Sequence, residues 1–415
     1  MVDRPALLSL DDALGKLLTQ ARLCAWPDQE EVATLDALGR VLSQSVCSTL
    51  DVPPADNSSM DGYAVRVGDL ADAGRWLTVS QRIPAGFVGQ PLATGTVARI
   101  FTGAQIPPGA DAVVMQENCE SMTGLQGQTQ VRFATAPRPG QWIRQQGEDV
   151  RQGAEVLTAG RRLDPAALGM AASVGAATLW VRRRPRVALF STGDELVMPG
   201  HPLKPGAIYN SNRFMLQGLL KAAGCEVIDL GIVPDQLEAT QQALRSAAAA
   251  TDLIITSGGV SMGEEDHLRP ALQTEGRLDL WQVAIKPGKP LAFGAVRSMA
   301  GETLYIGLPG NPVSSFVTFL LAVGPVLRVL QGMAGELPSA WPLRADFDWL
   351  APDRRREFLR VRLNSSGGLD LFANQGSGVL TSAVWADGLV DNPPMQVIRR
   401  GDVVQMLSLA ALVGS

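Results

Sequence analysis

Histidine is nearly missing from these 415 residues, with only His201 and His267 present, and cysteine is scarce, at four. Cys24, Cys47, Cys119 and Cys225 are scattered with no C-x-x-C pair, which argues against a disulfide framework and against a zinc or iron–sulfur site. With so few soft ligands, a catalytic metal would have to rely on carboxylate oxygens, and that selects a hard ion such as Mg2+. Long apolar runs are lacking too. The longest, 316–327, falls short of the roughly 20 residues that span a bilayer and reads as a buried helix, so no membrane partner is expected. The first ten residues carry Asp3 and Pro5 without a basic stretch leading into an apolar core, so no secretory signal is expected and a cytoplasmic location follows. A net charge of −5 offers no field for wrapping nucleic acid, although a local cationic pocket for a phosphate-bearing small molecule stays open. Low-complexity tracts and fixed-period repeats are absent, which removes disorder and solenoids.

What is present is an ordinary folding composition, 46% hydrophobic and 19% charged, in a chain too long for one core. Apolar spacing predicts helices over 7–23 and 30–44. From Asp51 the texture turns rich in Gly and Pro, with β-prone runs at 96–101, 112–115 and 129–133, so 51–139 is expected to be an inserted β-rich domain. The turns around 137–160 lead out of it, and Asp164-Pro165 predicts a capped helix ending near Gly175. Residues 1–50 and 140–180 are thus expected to form a helical and extended linker domain, part of 25–45 packing on the domain that follows. From Arg186 the pattern alternates strand and helix: strands at 186–190, 226–231, 253–256 and 304–307, with helices after Asn210 and Asp235, after the third strand and at the end. The predicted fold class is therefore a multidomain α/β protein whose central α/β domain, 181–332, carries a mostly parallel sheet and binds ligands at the carboxyl strand ends. Helices are expected to stop after Gln331, and 333–415 reads as a small β domain with strands at 358–363, 369–372 and 395–398.

Four constellations fall at the predicted strand ends. Ser257-Gly258-Gly259-Val260-Ser261 follows an apolar strand. Consecutive glycines let backbone N–H groups approach an anion, though a plain structural turn explains them as well. It is neither a P-loop nor a dinucleotide fingerprint. Pro309, Gly310, Asn311, Pro312 and Ser314 open a long apolar helix. Asn311 as N-cap and Pro312 at the first helical position explain them, and an anion on the free N–H groups is the functional alternative. Lys286-Pro-Gly-Lys-Pro290 fixes Lys286 and Lys289 on a stiffened backbone flanked by apolar residues, a candidate cation pair for phosphate or another oxyanion. Last come the carboxylates Asp149, Asp194, Glu195, Asp235, Glu264, Glu265 and Asp266. They could hold a magnesium ion, but Asp235 with Glu238 also makes a capping box, and 264–266 could be first-turn charges. His267 is left without a role.

These pieces occur together and in order with Asp56-Asn-Ser-Ser-Met-Asp-Gly-Tyr-Ala-Val65, Phe101-Thr-Gly-Ala104, Gly109-Ala-Asp-Ala-Val-Val-Met-Gln-Glu117, Gly147-Glu-Asp149, Ser191-Thr-Gly-Asp-Glu-Leu196, Arg356-Glu-Phe-Leu-Arg360 and Gln375-Gly-Ser-Gly-Val-Leu380. From about residue 7 to 410 the set resembles the molybdopterin molybdenumtransferase family, related to the E domain of gephyrin; Ala55 departs from the larger residue that members often carry. The resemblance implies a homodimer with a molybdopterin-binding three-layer α/β domain, an inserted β-rich domain and a C-terminal β-barrel. It implies a site between subunits that brings Asp61 and Thr102 towards Glu195, Asp235 and Asp266. It also implies the reaction. Adenylylated molybdopterin would lie against Thr192, Gly193, Ser257–Ser261, Lys286, Lys289 and the Pro309–Ser314 turn. Mg2+ on Glu195, Asp235 and Asp266, with Asp149 as a further candidate, would help release AMP while molybdate enters the dithiolene. Molybdopterin adenylyltransferase and molybdoenzyme maturation proteins are the implied protein partners. Two competing readings are a non-enzymatic pterin-binding scaffold of the same fold, as gephyrin's receptor binding suggests, and molybdopterin adenylylation itself.

Overall fold

The computed structural model describes residues 7–24, 28–70, 74–125, 127–259, 267–299 and 301–414, with the backbone alone at 280 and 281. Ser9 caps the first helix, Leu10–Cys24, its hydroxyl accepting the Asp12 N–H at 3.0 Å. Leu10, Ala13, Leu17 and Ala21 recur at helical spacing and bury into the core of the α/β domain, and Leu8 bridges to Val283. This helix packs there, and residues from the 28–45 stretch reach the same domain at its edge, Arg40 bonding the Arg182 carbonyl and Asp28 pairing with Arg183. The helix expected over 30–44 is instead a strand, Gln29–Ala33, followed by a 3-10 turn, Thr34–Asp36. The apolar spacing misled because Leu35 and Leu38 stay exposed. Antiparallel pairing with Thr178–Arg182, and Arg40 bonded to Glu30 and to the Arg182 carbonyl, satisfy this backbone instead.

The outgoing and returning chains then pair with each other repeatedly: Gln29–Ala33 with Thr178–Arg182, Val46–Cys47 with Glu155–Leu157, and Asn57–Ser58 with Ile143–Arg144. This two-way stalk leaves everything between Ser58 and Ile143 at its tip. Helix Pro165–Ser173 starts as the sequence predicts, the Asp164 carboxylate accepting the Ala167 N–H at 2.7 Å with proline in the first turn. At the tip stands a six-stranded mixed sheet, ordered Ala112–Met115, Gly62–Val65, Thr96–Ile100, Leu77–Ile83, Thr129–Phe133, Cys119–Thr123. Alternate residues feed two apolar clusters, Tyr63 and Val65 on one face, Ala64 and Ala98 on the other.

The α/β sheet has the order Glu226–Val233, Arg186–Thr192, Leu253–Ser257, Gly301–Leu308, Pro290–Ser298, Gly276–Gln282. The first four strands are parallel; of the two not foreseen in the sequence, Pro290–Ser298 runs antiparallel to both its neighbours and Gly276–Gln282 runs with the first four. Val187, Leu189, Leu253 and Ile255 face the helices Leu10–Cys24, Ser211–Ala222 and Pro312–Leu330, while Ala188, Phe190 and Ile254 face Leu237–Ala250 and Leu268–Glu275. Three layers result. Pro312–Leu330 is long and apolar enough to cross a membrane, but 94% of its apolar window is buried inside this core.

A third mixed sheet, drawn mostly from residues beyond Gln331, runs Ile285–Lys286, Arg356–Leu363, Gly388–Asn392, Val403–Ser408, Trp341–Arg344, with Leu369–Leu371 attached to Arg356–Leu363. Helices do not stop there, because Leu380–Trp385 and Leu409–Gly414 are helical. The strand expected at 395–398 is absent: Pro393 and Pro394 withhold donors, Met395 is left-handed at φ 63°, and only Ile398 bridges, to Trp349. The short strand Ile285–Lys286 joins this sheet in parallel to Arg356–Glu357, fastening the Lys286–Pro290 turn to the C-terminal region.

Candidate functional site

Three neighbouring parallel strands end level with one another, Ser191 opposite Ser257 and Ser257 opposite Leu308. The chain therefore delivers Thr192-Gly193, Gly258-Gly259 and Pro309-Gly310 to one edge. Gly258 and Gly259 are left-handed in succession, at φ +90° and +65°, and Cβ atoms there would meet the Thr192 carbonyl at 3.1 Å and the Thr192 hydroxyl at 3.0 Å. Glycine is required at both. The Gly258 N–H donates to the Leu308 carbonyl at 3.1 Å, joining two of the turns.

Asn212, which the sequence reading missed, fastens them further. Buried in the first turn of Ser211–Ala222, its amide donates to the Ser257 hydroxyl at 2.8 Å and to the Gly310 carbonyl at 2.7 Å. The Ser191 hydroxyl, the Asn210 amide nitrogen and the Asn212 amide oxygen are buried at this edge without partners among the described residues. Such groups are costly unless a polar ligand meets them.

Glu195 is exposed, and its carboxylate lies over Gly193, where a Cβ would be 2.5 Å from Oε2; it has no hydrogen-bond or ion-pair partner among the described residues. Asp235 is half-buried two residues beyond Val233, which pairs with Thr192, so it belongs to the same edge. It does not cap: the helix Leu237–Ala250 has Gln236 at its N-cap and no side-chain cap bond. Nor does the Asn311 side chain cap Pro312–Thr318, whose Val313 N–H goes to the Ser377 carbonyl at 2.9 Å. Proline at the first position leaves one donor fewer to satisfy, and the C-terminal loop takes another. Ser314 is buried behind that turn. Val260, Ser261, Glu264, Glu265 and Asp266 lie outside the described residues.

The two lysines differ. Lys286 donates to the Glu357 carboxylate at 3.2 Å and pairs with Asp353 at 3.4 Å, so its charge is already committed. Glu357, 1% exposed, also accepts the Trp349 indole N–H at 2.7 Å, the Asp353 N–H at 3.1 Å and the Asn392 amide at 3.4 Å. Lys289 is exposed and has no partner among the described residues. Arg360, which the sequence reading quotes only within a resemblance motif and gives no role, is a second source of positive charge. Buried at 1% exposure, it bonds the Ser382 hydroxyl and the Phe358 and Gly376 carbonyls, meets no carboxylate among the described residues, and has its pKa pulled down by burial to about 10. Gly376 adjoins Ser377, so this cation lies next to the start of the Pro312 helix.

Asp61 and Thr102 meet each other on the inserted sheet. The Thr102 N–H and hydroxyl both donate to Asp61 Oδ1 at 2.8 Å, and these bonds, the N–H first, hold the Asp61 carboxyl below its usual range. Asp149 is exposed on the stalk, its N–H bonded to the Val52 carbonyl at 3.0 Å. Among the described residues, no hydrogen bond or ion pair joins these three to the strand-end turns. No group of three or more His, Cys, Asp or Glu side chains gathers among the described residues either. Glu195 and Asp235 supply two carboxylates at one edge, the number that Mg2+ takes beside substrate phosphate oxygens, and Asp266, the third expected ligand, lies outside the described residues.

Known proteins share this arrangement over the whole chain. Family profiles match in order the MoeA N-terminal region (domain I and II) at residues 8–175, a probable molybdopterin binding domain at 188–329 and the MoeA C-terminal region (domain IV) at 342–409. The molybdopterin molybdenumtransferase of Haemophilus influenzae is 43% identical over 331 residues, covering 79% of this chain and 78% of that protein. The Bacillus subtilis protein of the same name is 35% identical, covering 100% of this chain and 97% of its own. Among solved structures, a molybdopterin biosynthesis MoeA protein of Pyrococcus horikoshii OT3 superposes with a TM-score of 0.81 at 29% identity, covering 97% of this chain and 99% of that one. With relatives this similar along nearly its full length, the chain belongs to the molybdopterin molybdenumtransferase family.

Proposed function

We propose that this protein is a molybdopterin molybdenumtransferase that inserts molybdate into the dithiolene of adenylylated molybdopterin and releases AMP. The observation that carries this reading is the level ending of three parallel strands, where Asn212 ties the Ser257 and Leu308–Pro312 turns into one polar edge. With the Gly258 N–H given to Leu308, the left-handed turn leaves the Gly259 N–H for a phosphate. Lys289 and the buried Arg360 add positive charge for the pyrophosphate and for the oxyanion, which would otherwise repel each other. In the reaction a water oxygen attacks the phosphoanhydride and AMP departs, while the two dithiolene sulfurs bond to molybdenum in place of one molybdate oxygen, which leaves as water with the two thiol protons. Glu195, whose exposed carboxylate has no partner among the described residues, orients or deprotonates that water in this reading.

The same proposal has a homodimer, with Asp61 and Thr102 of one subunit facing the strand-end turns of its partner, and has the C-terminal sheet closing as a barrel. The domains run 1–50 with 140–180, 51–139, 181–332 and 333–415, helix Leu10–Cys24 packing on the third. Molybdopterin adenylyltransferase supplies the substrate, molybdoenzyme maturation proteins take the product, and all of this happens in the cytoplasm. The test is AMP release from adenylylated molybdopterin with and without molybdate, with an EDTA arm for the magnesium requirement. Molybdate-dependent AMP is the expected result. Binding without release would establish a scaffold instead, and consumption of ATP with molybdopterin would establish the adenylylating enzyme.

A further inference from the structure

Trp142 stands on a backbone that disfavours it. Its φ is 59°, and Met395 is the one other non-glycine residue among those described with a positive φ. Left-handed backbone crowds any Cβ, and a bulky aromatic adds to the penalty. The conformation is imposed from several sides. The Trp142 carbonyl accepts both the N–H and the hydroxyl of Ser59 at 3.0 Å, the Gln141 carbonyl accepts the Val113 N–H at 2.9 Å, and Ile143 pairs with Ser58. None of these bonds involves the indole, so the turn would form with asparagine or glycine at this position and less strain.

The ring is not used for packing. It is 38% exposed, belongs to neither apolar cluster of the inserted sheet, and has no ring, cation or hydrogen-bond partner among the described residues. Exposure alone carries no weight, since Trp180 and Trp341 are more exposed still on ordinary strands. Place and strain together do. Ser59, which pins Trp142, is two residues from Asp61. Its neighbour Ser58 accepts the Gly103 N–H at 2.8 Å, one residue from Thr102. The indole therefore roots in the same loop cluster as the Asp61–Thr102 pair, where Asp61 Oδ2 has no partner and is open to an N–H donor.

We propose that Trp142 is a stacking platform for a heteroaromatic ring of the substrate, beside the Asp61 carboxylate. This rests on the transferase reading, because adenylylated molybdopterin carries two such rings, adenine at one end and the pterin at the other. Either ring has a flat face for the indole and amino or ring N–H groups for Asp61 Oδ2.

The experiment uses the full-length protein with Trp142→Asn, which suits a left-handed backbone, and Trp142→Phe, which keeps a ring. Binding of AMP and of molybdopterin is titrated separately by calorimetry. Trp142→Asn is expected to weaken one probe about tenfold, the scale of a single base–aromatic stack, while melting no lower than the wild type. Trp142→Phe is expected to stay within about threefold of the wild type, by the same stacking comparison. Loss of AMP binding assigns the ring as adenine, and loss of molybdopterin binding assigns it as the pterin. Wild-type affinity of Trp142→Asn for both probes overturns the proposal, as does a wild type that binds neither. If ring binding is lost in the variant but the wild type releases no AMP with molybdate, the transferase reading fails and the platform stands.

Discussion

Lys286 and Lys289 sit three residues apart on one turn, and the structure predicts that replacing each by Met has opposite consequences. Lys286→Met takes the ammonium from Glu357, a carboxylate only 1% exposed, and from Asp353. Glu357 keeps three other donors, so the loss is one charge-assisted hydrogen bond rather than an abandoned charge, about 1.5–3 kcal/mol. The Asp353 contact at 3.4 Å adds ~0–1 kcal/mol. Because the Lys286 side chain is 36% exposed, solvent screening pulls the total to the lower end, about 2 kcal/mol. For a cooperative unit of some 150–250 residues that corresponds to a midpoint lowered by roughly 4–8 °C. Lys289→Met removes an exposed, unpartnered ammonium and should shift stability by less than about 0.5 kcal/mol, while weakening the binding of adenylylated molybdopterin. Calorimetry at one fixed scan rate compares the midpoints, and titration compares the affinities. Adding Glu357→Gln to Lys286→Met should cost less than the two single changes summed, since both act on one contact. Equal melting losses in the two lysine variants, or a Lys286→Met protein that melts like the wild type, would refute the division of roles.

Asn212→Ala should cost about 2–4 kcal/mol in a urea titration, because two hydrogen bonds vanish and the Ser257 hydroxyl and Gly310 carbonyl lose their donor; an unchanged midpoint would mean the turns hold without it. Glu195→Ala should leave stability within about 0.5 kcal/mol, as expected for an exposed residue without partners, and lower molybdate-dependent AMP release by roughly 100-fold or more. Retained turnover removes Glu195 from the chemistry. Asp353 is held well below the usual carboxylate range, first by its hydrogen bonds to the Arg355 guanidinium, so its folded pKa lies under the unfolded value of about 3.9. Its contribution is therefore full above about pH 4 and disappears as pH falls through the folded value; melting midpoints should hold from pH 8 to 5 and drop below 4, less steeply in Asp353→Asn, and equal slopes would contradict this.

Much of the fold was legible because its strongest signals are local. Alternating strands and helices after Arg186, the Asp164-Pro165 helix start and the β-prone runs of the inserted sheet all report neighbouring residues. Other elements left no such trace. Leu380–Trp385 and Leu409–Gly414 are six residues each, too short for a 3.6-residue period to show. Pro290–Ser298 reads in the sequence only as the apolar flank of the lysine turn, and its strand shows once Gly301–Leu308 pairs with it along its length. Over Gln29–Ala33 the sequence was legible but misread: helical spacing of apolar residues normally reports a buried face, and here the exposed Leu35 belonged to no face.

At the site the same distinction separates what was found from what was missed. Glycines, prolines and strand ends are consecutive in sequence, so Ser257–Gly259 and Leu308–Pro312 could be located without knowing what they touch. Asn212 acquires its role only by reaching Ser257 and Gly310, 45 and 98 residues further on. The Lys286–Pro290 turn showed two equivalent cations, because the carboxylate that neutralises one of them lies 71 residues away. Trp142 is the converse case. Its left-handed φ follows from Ser59 across the stalk, while nothing in the residues around it calls for an aromatic ring. Distant contacts fix the Trp142 backbone while its ring has no partner among the described residues, and the proposed substrate ring fills that gap. This makes the inserted sheet, and not only the glycine turns of the α/β domain, a place to look for substrate recognition.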